Sequence, residues 1–423
     1  MRTSRRRFIA GTLGAGVTGL KPSRETVVQG QTIASTSAEH DREFRDLDEA
    51  AARPVLRLDG ITAPVIIESF RLLKKGDEYF VHVRSKDGAE GVSVVNPPRG
   101  AYLDKIAKQL VLPFFIGKDV RDLENLLWEL YRWNDNYKLQ GLAFWSPQAW
   151  AEFAILDMLG RIAQKPMGAL LGDIVRREVA CYVASGRRDT SPEAEVEYLR
   201  KLLEESGARA VKFRVGGRMS RNADASPGRT QRLIPLARKA LGDAIDIHAD
   251  ANSSYDPPQA IDIGRRLEEI KAVYFEEPCP FDHHEATKIV ADALSIPVAG
   301  GEQEYSQWRF RWMVGNRGVD IVQPDLHYYG GMIRSIRVAR MAALRKMPTT
   351  VHISGGFGFV YMLHFASCVP DVGRYQEYKL GLGEYGTWID PPITVKDGKM
   401  TVPDGPGVGI KDLKGLLSGA VEV

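Results

Sequence analysis

Between about Val55 and Ser93 the chain alternates apolar and polar positions in VIIESFRLL and YFVHVRS, broken by turn residues at Lys74 to Asp77 and at Asp87-Gly88. That period of two predicts an antiparallel meander. From Leu103 to about Gly172 the apolar spacing becomes helical, and Ser146-Pro147 reads as the N-cap and first-turn pair of a helix running through Trp150, Ile155 and Leu159. Strands followed by helices predict a separate α+β domain. Beyond Glu178 the pattern changes again. Eight β-rich runs follow, VACYVAS, AVKFRV, IDIHAD, VYFEE, PVAGGE, VDIVQPD, TTVHIS and RYQEYKL, with amphipathic helical stretches such as Ala194 to Glu205 between most of them. This alternation predicts an α/β fold closed as a (β/α) barrel, with an active site at the C-terminal ends of its strands.

Length and composition agree with such a layout. The 423 residues exceed one ordinary domain, and 44% hydrophobic with 26% charged residues suits a globular protein with a sizeable core. A net charge of +3, from 57 basic and 54 acidic side chains, excludes nucleic acid or an anionic membrane as the main partner. Cys181, Cys279 and Cys368 stand far apart, so they suggest buried small residues rather than disulfides or a thiolate metal site.

Residues 1–40 differ from the rest. Ser4-Arg5-Arg6-Arg7-Phe8-Ile9, the Gly-rich apolar stretch Phe8 to Leu20 and the small residues Ala34 to Ala38 resemble a twin-arginine export leader. The apolar stretch is too short to span a bilayer. A leader implies a periplasmic location; a merely basic, disordered N-terminus would leave the protein cytoplasmic.

Three of the β-rich runs end in an acid: Asp250, Glu276 and Glu302, separated by 26 and 26 residues. Singly, each reads as a loop or cap carboxylate. Together, on successive strands of one barrel, they would crowd onto one rim, where repulsion calls for a hard divalent cation with oxygen ligands, magnesium before zinc. The next two strands end in Asp325 and His352, an acid placed to orient an imidazole as a general base. On the second strand Lys212 and Arg214 share a face and are expected to meet an anion, the carboxylate of a small-molecule substrate. Asn252, two residues past Asp250, would face the pore and bind a substrate hydroxyl.

These residues resemble a family. Lys212-x-Arg214, Asp250-x-Asn252, Glu276-Glu277-Pro278, Gly301-Glu302, Pro324-Asp325 and His352 look like the enolase superfamily, specifically its mandelate racemase subgroup. The resemblance implies a modified (β/α)8 barrel, (β/α)7β, over residues 176–400. An α+β capping domain over 50–175 and a C-terminal segment, 401–423, packed back on that domain would complete it. It implies one Mg2+ per site on Asp250, Glu276 and Glu302, an Asp325–His352 base, Glu377 bonded to an enediolate intermediate, and a homo-oligomer. The shared first step is removal of the proton α to a carboxylate.

One departure tilts the choice of reaction. Racemases of the subgroup carry a second lysine where this chain has Arg214, and a guanidinium is a poor proton shuttle. One-base dehydration of a sugar acid, an aldonate or aldarate, to a 2-keto-3-deoxy acid is therefore expected, with His352 taking the α-proton and a protonated group, His352 itself being one candidate, assisting departure of the β-hydroxyl. A racemase or epimerase of a 2-hydroxy or amino acid is the alternative, and a non-catalytic sugar-acid-binding barrel the third. The stretch Gly301 to Trp308 resembles rhamnonate-type dehydratases, which points toward aldonates, while its polar residues Gln303 and Glu304 equally suit hydrogen-bond partners of the metal ligands. Specificity is expected from loops at Lys74 to Asp77 and Asn96 to Tyr102.

Overall fold

The computed structural model describes residues 44–353, 355–379 and 383–423. The export leader expected over residues 1–40 lies outside them.

Strands β1 (Ile67–Lys75), β2 (Glu78–Ser85) and β3 (Glu90–Val95) form an antiparallel meander, with Leu72 opposite Val81 and Val81 opposite Ser93. Its turns pass through Gly76 (φ 59°) and Gly88 (φ 85°), left-handed positions that glycine takes at little cost. The chain's last strand, Val421–Glu422, adds to the free edge of β1, pairing Leu73 with Glu422. One face of the meander packs on the helix Leu142–Ala163, closely enough that a Cβ on Gly91 would overlap the carbonyl of Ala154 and the amide of Met158. That helix begins a turn earlier than the Ser146-Pro147 signal predicts. Pro147 lies inside it, and because its missing N–H would serve only the carbonyl four residues back, near the helix start, burial of Phe144 and Trp145 outweighs the loss.

The larger sheet is parallel through β4 (Glu178–Ala184), β5 (Ala210–Arg214), β6 (Asp246–Asp250), β7 (Tyr274–Glu276), β8 (Val298–Gly300) and β9 (Ile321–Val322), neighbours in chain order. Strand β10 (Gln376–Tyr378) pairs with β4, also in parallel. The run TTVHIS, expected to be a full strand, forms isolated bridges instead: Thr349 to Val322 and to Val372, and His352 to Asp325. A side chain interrupts its ladder, since the amide of Val351 donates to Gln376 Oε1 rather than to a backbone carbonyl.

Crossover helices start where the sequence signals them. Ser191 accepts from the amide of Ala194 ahead of Pro192–Ser206, and Asp256 from that of Gln259 ahead of Pro257–Glu269. Alternate strand residues, among them Val211, Phe213, Ile247, Ala249, Phe275 and Val298, form the core shared with these helices. The other alternation sends Tyr182, Lys212, Arg214, His248, Asp250, Tyr274 and Glu276 to the opposite face, where all are buried. Such a concentration of buried charge is costly unless it is paired or functional.

Candidate active site

Strand register builds the acidic centre. Arg214 pairs with Asp250 and Asp250 with Glu276 across three adjacent strands, so three charged side chains stand in one row. Glu302 follows β8 and reaches the same row after Gly301, whose φ of 117° and contact with the Phe310 ring exclude a side chain there. One ligand atom from each of Asp250, Glu276 and Glu302 lies within 4.8 Å of the other two, and all three residues are buried. Just beyond the acids the chain turns through left-handed φ at Asn252 (41°), Ser253 (62°) and Glu277 (42°), conformations that cost a non-glycine residue free energy and that gather at functional sites.

Lys212 and Arg214 do not face open solvent or an empty wall. Lys212 Nζ lies 2.7 Å from Glu276 Oε2, 3.0 Å from Glu377 Oε1 and 3.7 Å from Asp250 Oδ2. Burial disfavours its charge, yet Glu276 and Glu377 outweigh that and raise its pKa. Arg214 is in close ionic contact with Asp250, donates from Nε to the carbonyl of Ser185, and reaches Asn252 Oδ1 at 3.3 Å. The acids of the site pair with both cations, Asp250 with Arg214 and Glu276 and Glu377 with Lys212. Glu377 is buried beside Lys212. Burial pushes its carboxyl up, but Lys212 and Lys379 hold it well below the usual range.

The dyad is assembled. His352 Nδ1 lies 2.7 Å from Asp325 Oδ2, while Asp325 Oδ1 accepts from the amides of His327 and Tyr328. Desolvation opposes ionisation of both partners, but Glu302 and Asp325 raise the imidazole and the His352 contact lowers Asp325. Nε2, the free end of the ring, lies 3.5 Å from Glu302 Oε2 and 3.3 Å from Lys379 Nζ.

A cavity of about 340 Å³ opens over this centre, lined among others by Asn252, Glu277, Glu302, Gln303, Tyr328 and His352. Arg99, Arg218 and Lys379 also line it, and sequence reasoning singled out none of these three. Arg99 bonds the hydroxyl of Tyr328 and stands over its ring, so of the two loops expected to set specificity the Asn96 to Tyr102 segment reaches the cavity. Lys75, from the other, instead donates to the carbonyl of Leu416. Gln303 donates to Glu302 Oε1 at 3.1 Å, as expected. Glu304 turns away and pairs with His284 at 3.0 Å. Glu277, also missed, is driven well above the usual carboxylate range by burial and by Glu302 and Glu276. The three cysteines are free and buried, and burial pushes their thiols up to about 12.

Comparison with known proteins identifies the family of the chain. Residues 194–412 match the enolase C-terminal domain-like family. The chain is 30% identical over 316 residues to arabinonate dehydratase of Saccharolobus solfataricus, which covers 73% of this chain and 79% of that protein. It is 25% identical over 322 residues to D-xylonate dehydratase of Haloferax volcanii, covering 73% and 78%. The structure of a mandelate racemase/muconate lactonizing protein from Paracoccus denitrificans PD1222, complexed with magnesium, is similar with a TM-score of 0.76 at 27% identity, covering 85% of this chain and 99% of that one. With a family match over half its length and a dehydratase at this level of identity, the chain belongs to the enolase C-terminal domain-like family of the enolase/mandelate racemase superfamily.

Proposed function

We propose that the protein is a magnesium-dependent hydro-lyase that removes the α-proton of a sugar acid and expels the β-hydroxyl, giving a 2-keto-3-deoxy acid. The observation that carries this reading is His352, held 2.7 Å from Asp325, on the wall of a cavity that Glu302 of the acidic triad also lines. Mere binding needs no oriented base.

A divalent cation fits the residues present. One carboxylate oxygen from each of Asp250, Glu276 and Glu302 lies within 4.8 Å of the other two, an all-oxygen donor set suited to a hard cation. Asp250, Glu276 and Glu302 would hold one Mg2+, whose charge would stabilise the negative charge that develops on the substrate carboxylate. Everything else falls to side chains. His352 Nε2 takes the α-proton, with Asp325 fixing Nδ1–H and stabilising the imidazolium. A guanidinium is a poor proton shuttle, so Arg214, held by Asp250, supplies no second base, which favours dehydration over racemisation.

The same reading treats the parallel sheet as a (β/α)7β barrel, supported by the β4–β10 pairing and by the bridges from Thr349 to both Val322 and Val372. Residues 50–175 would cap it, an exported homo-oligomer being the expected form. Among the described residues no helix is long and apolar enough to cross a membrane.

The test is a screen of purified protein with Mg2+ against aldonates and aldarates in deuterated water. Release of a 2-keto acid is expected. Recovery of α-deuterated substrate without keto product would favour a racemase or epimerase, and binding without either would favour a non-catalytic barrel.

A further inference from the structure

Dehydration needs two proton transfers, and the Asp325–His352 pair accounts for one. A hydroxide is a poor leaving group, so its departure needs an acid on the cavity wall. Lys379 stands there. It extends just past β10, two residues after Glu377, so the two side chains share a strand face.

Its ammonium has three protons and three acceptors within reach: the carbonyl of Ile353 at 2.8 Å, Glu377 Oε2 at 3.1 Å and His352 Nε2 at 3.3 Å. The first two anchor the nitrogen. The third is conditional, because it requires the lone pair of a neutral imidazole. Once Nε2 gains the α-proton that acceptor is gone, and the ammonium is left with one proton free to donate into the cavity. With a side chain 31% exposed, against 10% for His352, Lys379 also offers its nitrogen to a molecule in the cavity. Tyr328 also lines the cavity; its hydroxyl accepts from Arg99, and burial and Asp325 raise its pKa, which opposes release of its proton.

We propose that Lys379 is the general acid that protonates the departing β-hydroxyl, an inference that rests on the dehydration reading. His352 takes the α-proton, the freed electron pair forms the Cα–Cβ double bond, and the Cβ–O bond breaks as Lys379 supplies the proton that makes water. The resulting enol loses its hydroxyl proton to the Lys379 amine and gains the His352 proton at Cβ. Both groups then stand as they began.

The experiment uses the sugar acid turned over fastest in the screen and its 3-deoxy-3-fluoro analogue, in deuterated water with Mg2+. Lys379→Met is expected to lower 2-keto acid formation by about 10²–10⁴-fold, the usual worth of a general acid, while recovered substrate carries α-deuterium. Fluoride, which leaves without a proton, should still depart from the analogue at close to the wild-type rate. Lys379→Arg keeps the charge and N–H donors but not a proton it gives up readily, and should remain slow with the hydroxy substrate. Loss of exchange and elimination together, loss of fluoride release, or recovery in the arginine variant would each overturn the assignment while leaving dehydration intact. A wild type that exchanges α-hydrogen without forming keto acid would instead overturn the dehydration reading, and this inference with it.

Discussion

Replacing His352 with Asn separates the base from the metal. The ring contributes one strong contact, 2.7 Å from Nδ1 to Asp325, and an amide at that position can still donate to Asp325 Oδ2. Asp325 also keeps the amides of His327 and Tyr328, so its buried carboxylate is not orphaned. The expected cost in stability is that of lost ring packing, about 1–3 kcal/mol. The expected cost in rate is larger. A general base is worth about 10²–10⁴-fold, which converts to about 3–5 kcal/mol of transition-state stabilisation. Magnesium should be unaffected, because none of Asp250, Glu276 and Glu302 is altered. At a concentration of about 100 times Kd it should stabilise both wild type and variant by about 2.7 kcal/mol. The assay is therefore a pair of measurements, 2-keto acid formation and the Mg2+-induced rise in Tm. A variant with undiminished turnover would sink the mechanism. One that lost the Mg2+-dependent rise would show that His352 belongs to the metal site, which would refute the division of roles.

Three further outcomes follow from particular contacts. Arg214→Met leaves the fully buried Asp250 without its guanidinium, so the metal-free protein should lose about 3–5 kcal/mol and its Mg2+-induced Tm rise should exceed that of wild type; an equal rise would contradict the pairing. Glu152 is buried with its Oε1 accepting from the amide of Ile333, and burial raises its carboxyl from 4.5 to about 8. The folded state thus retains a proton that the unfolded chain releases, so its contribution to stability is full below about pH 4.5 and is lost as pH climbs towards 8, a change on the order of several kcal/mol. Glu152→Gln cannot titrate, so the Tm difference between variant and wild type should move in the variant's favour from about pH 5 to pH 8; a constant difference would refute the assignment. Gly91→Ala should destabilise by about 1–3 kcal/mol in a melting experiment, since its Cβ would overlap backbone atoms of the helix that covers the meander.

How far the sequence could be read depended on whether a property was carried by one strand or by several. The three metal-ligand candidates were legible because a parallel register converts equal position at strand ends into spatial adjacency, and Asp250 and Glu276 are indeed direct partners. The Asp325–His352 pair was legible for the same reason, even though TTVHIS contributes bridges in place of a strand. Arg99 was not, because it arrives from the segment after β3, and no periodicity in the chain relates that segment to the strand ends.

Lys212, Arg214 and Lys379 expose a different limit. Alternation correctly assigned the first two to a common inward face, but direction along a strand does not say which neighbouring charge is nearest, and in the fold these are Asp250, Glu276 and Glu377. The same alternation applied to RYQEYKL would have put Lys379 beside Glu377, yet the resemblance drew notice to the glutamate alone. The consequence reaches the chemistry. Arg214 was weighed as the residue that denies the site a second lysine, and the protein does carry one, on β10's side of the site next to His352, the partner of Asp325. A lysine adjacent to the base cannot readily serve the opposite face of the same carbon, as a two-base racemase requires. Beside the imidazole it can deliver a proton to a hydroxyl on the neighbouring carbon, which is what elimination needs, so the position of Lys379 and the identity of Arg214 favour the same reaction for independent reasons.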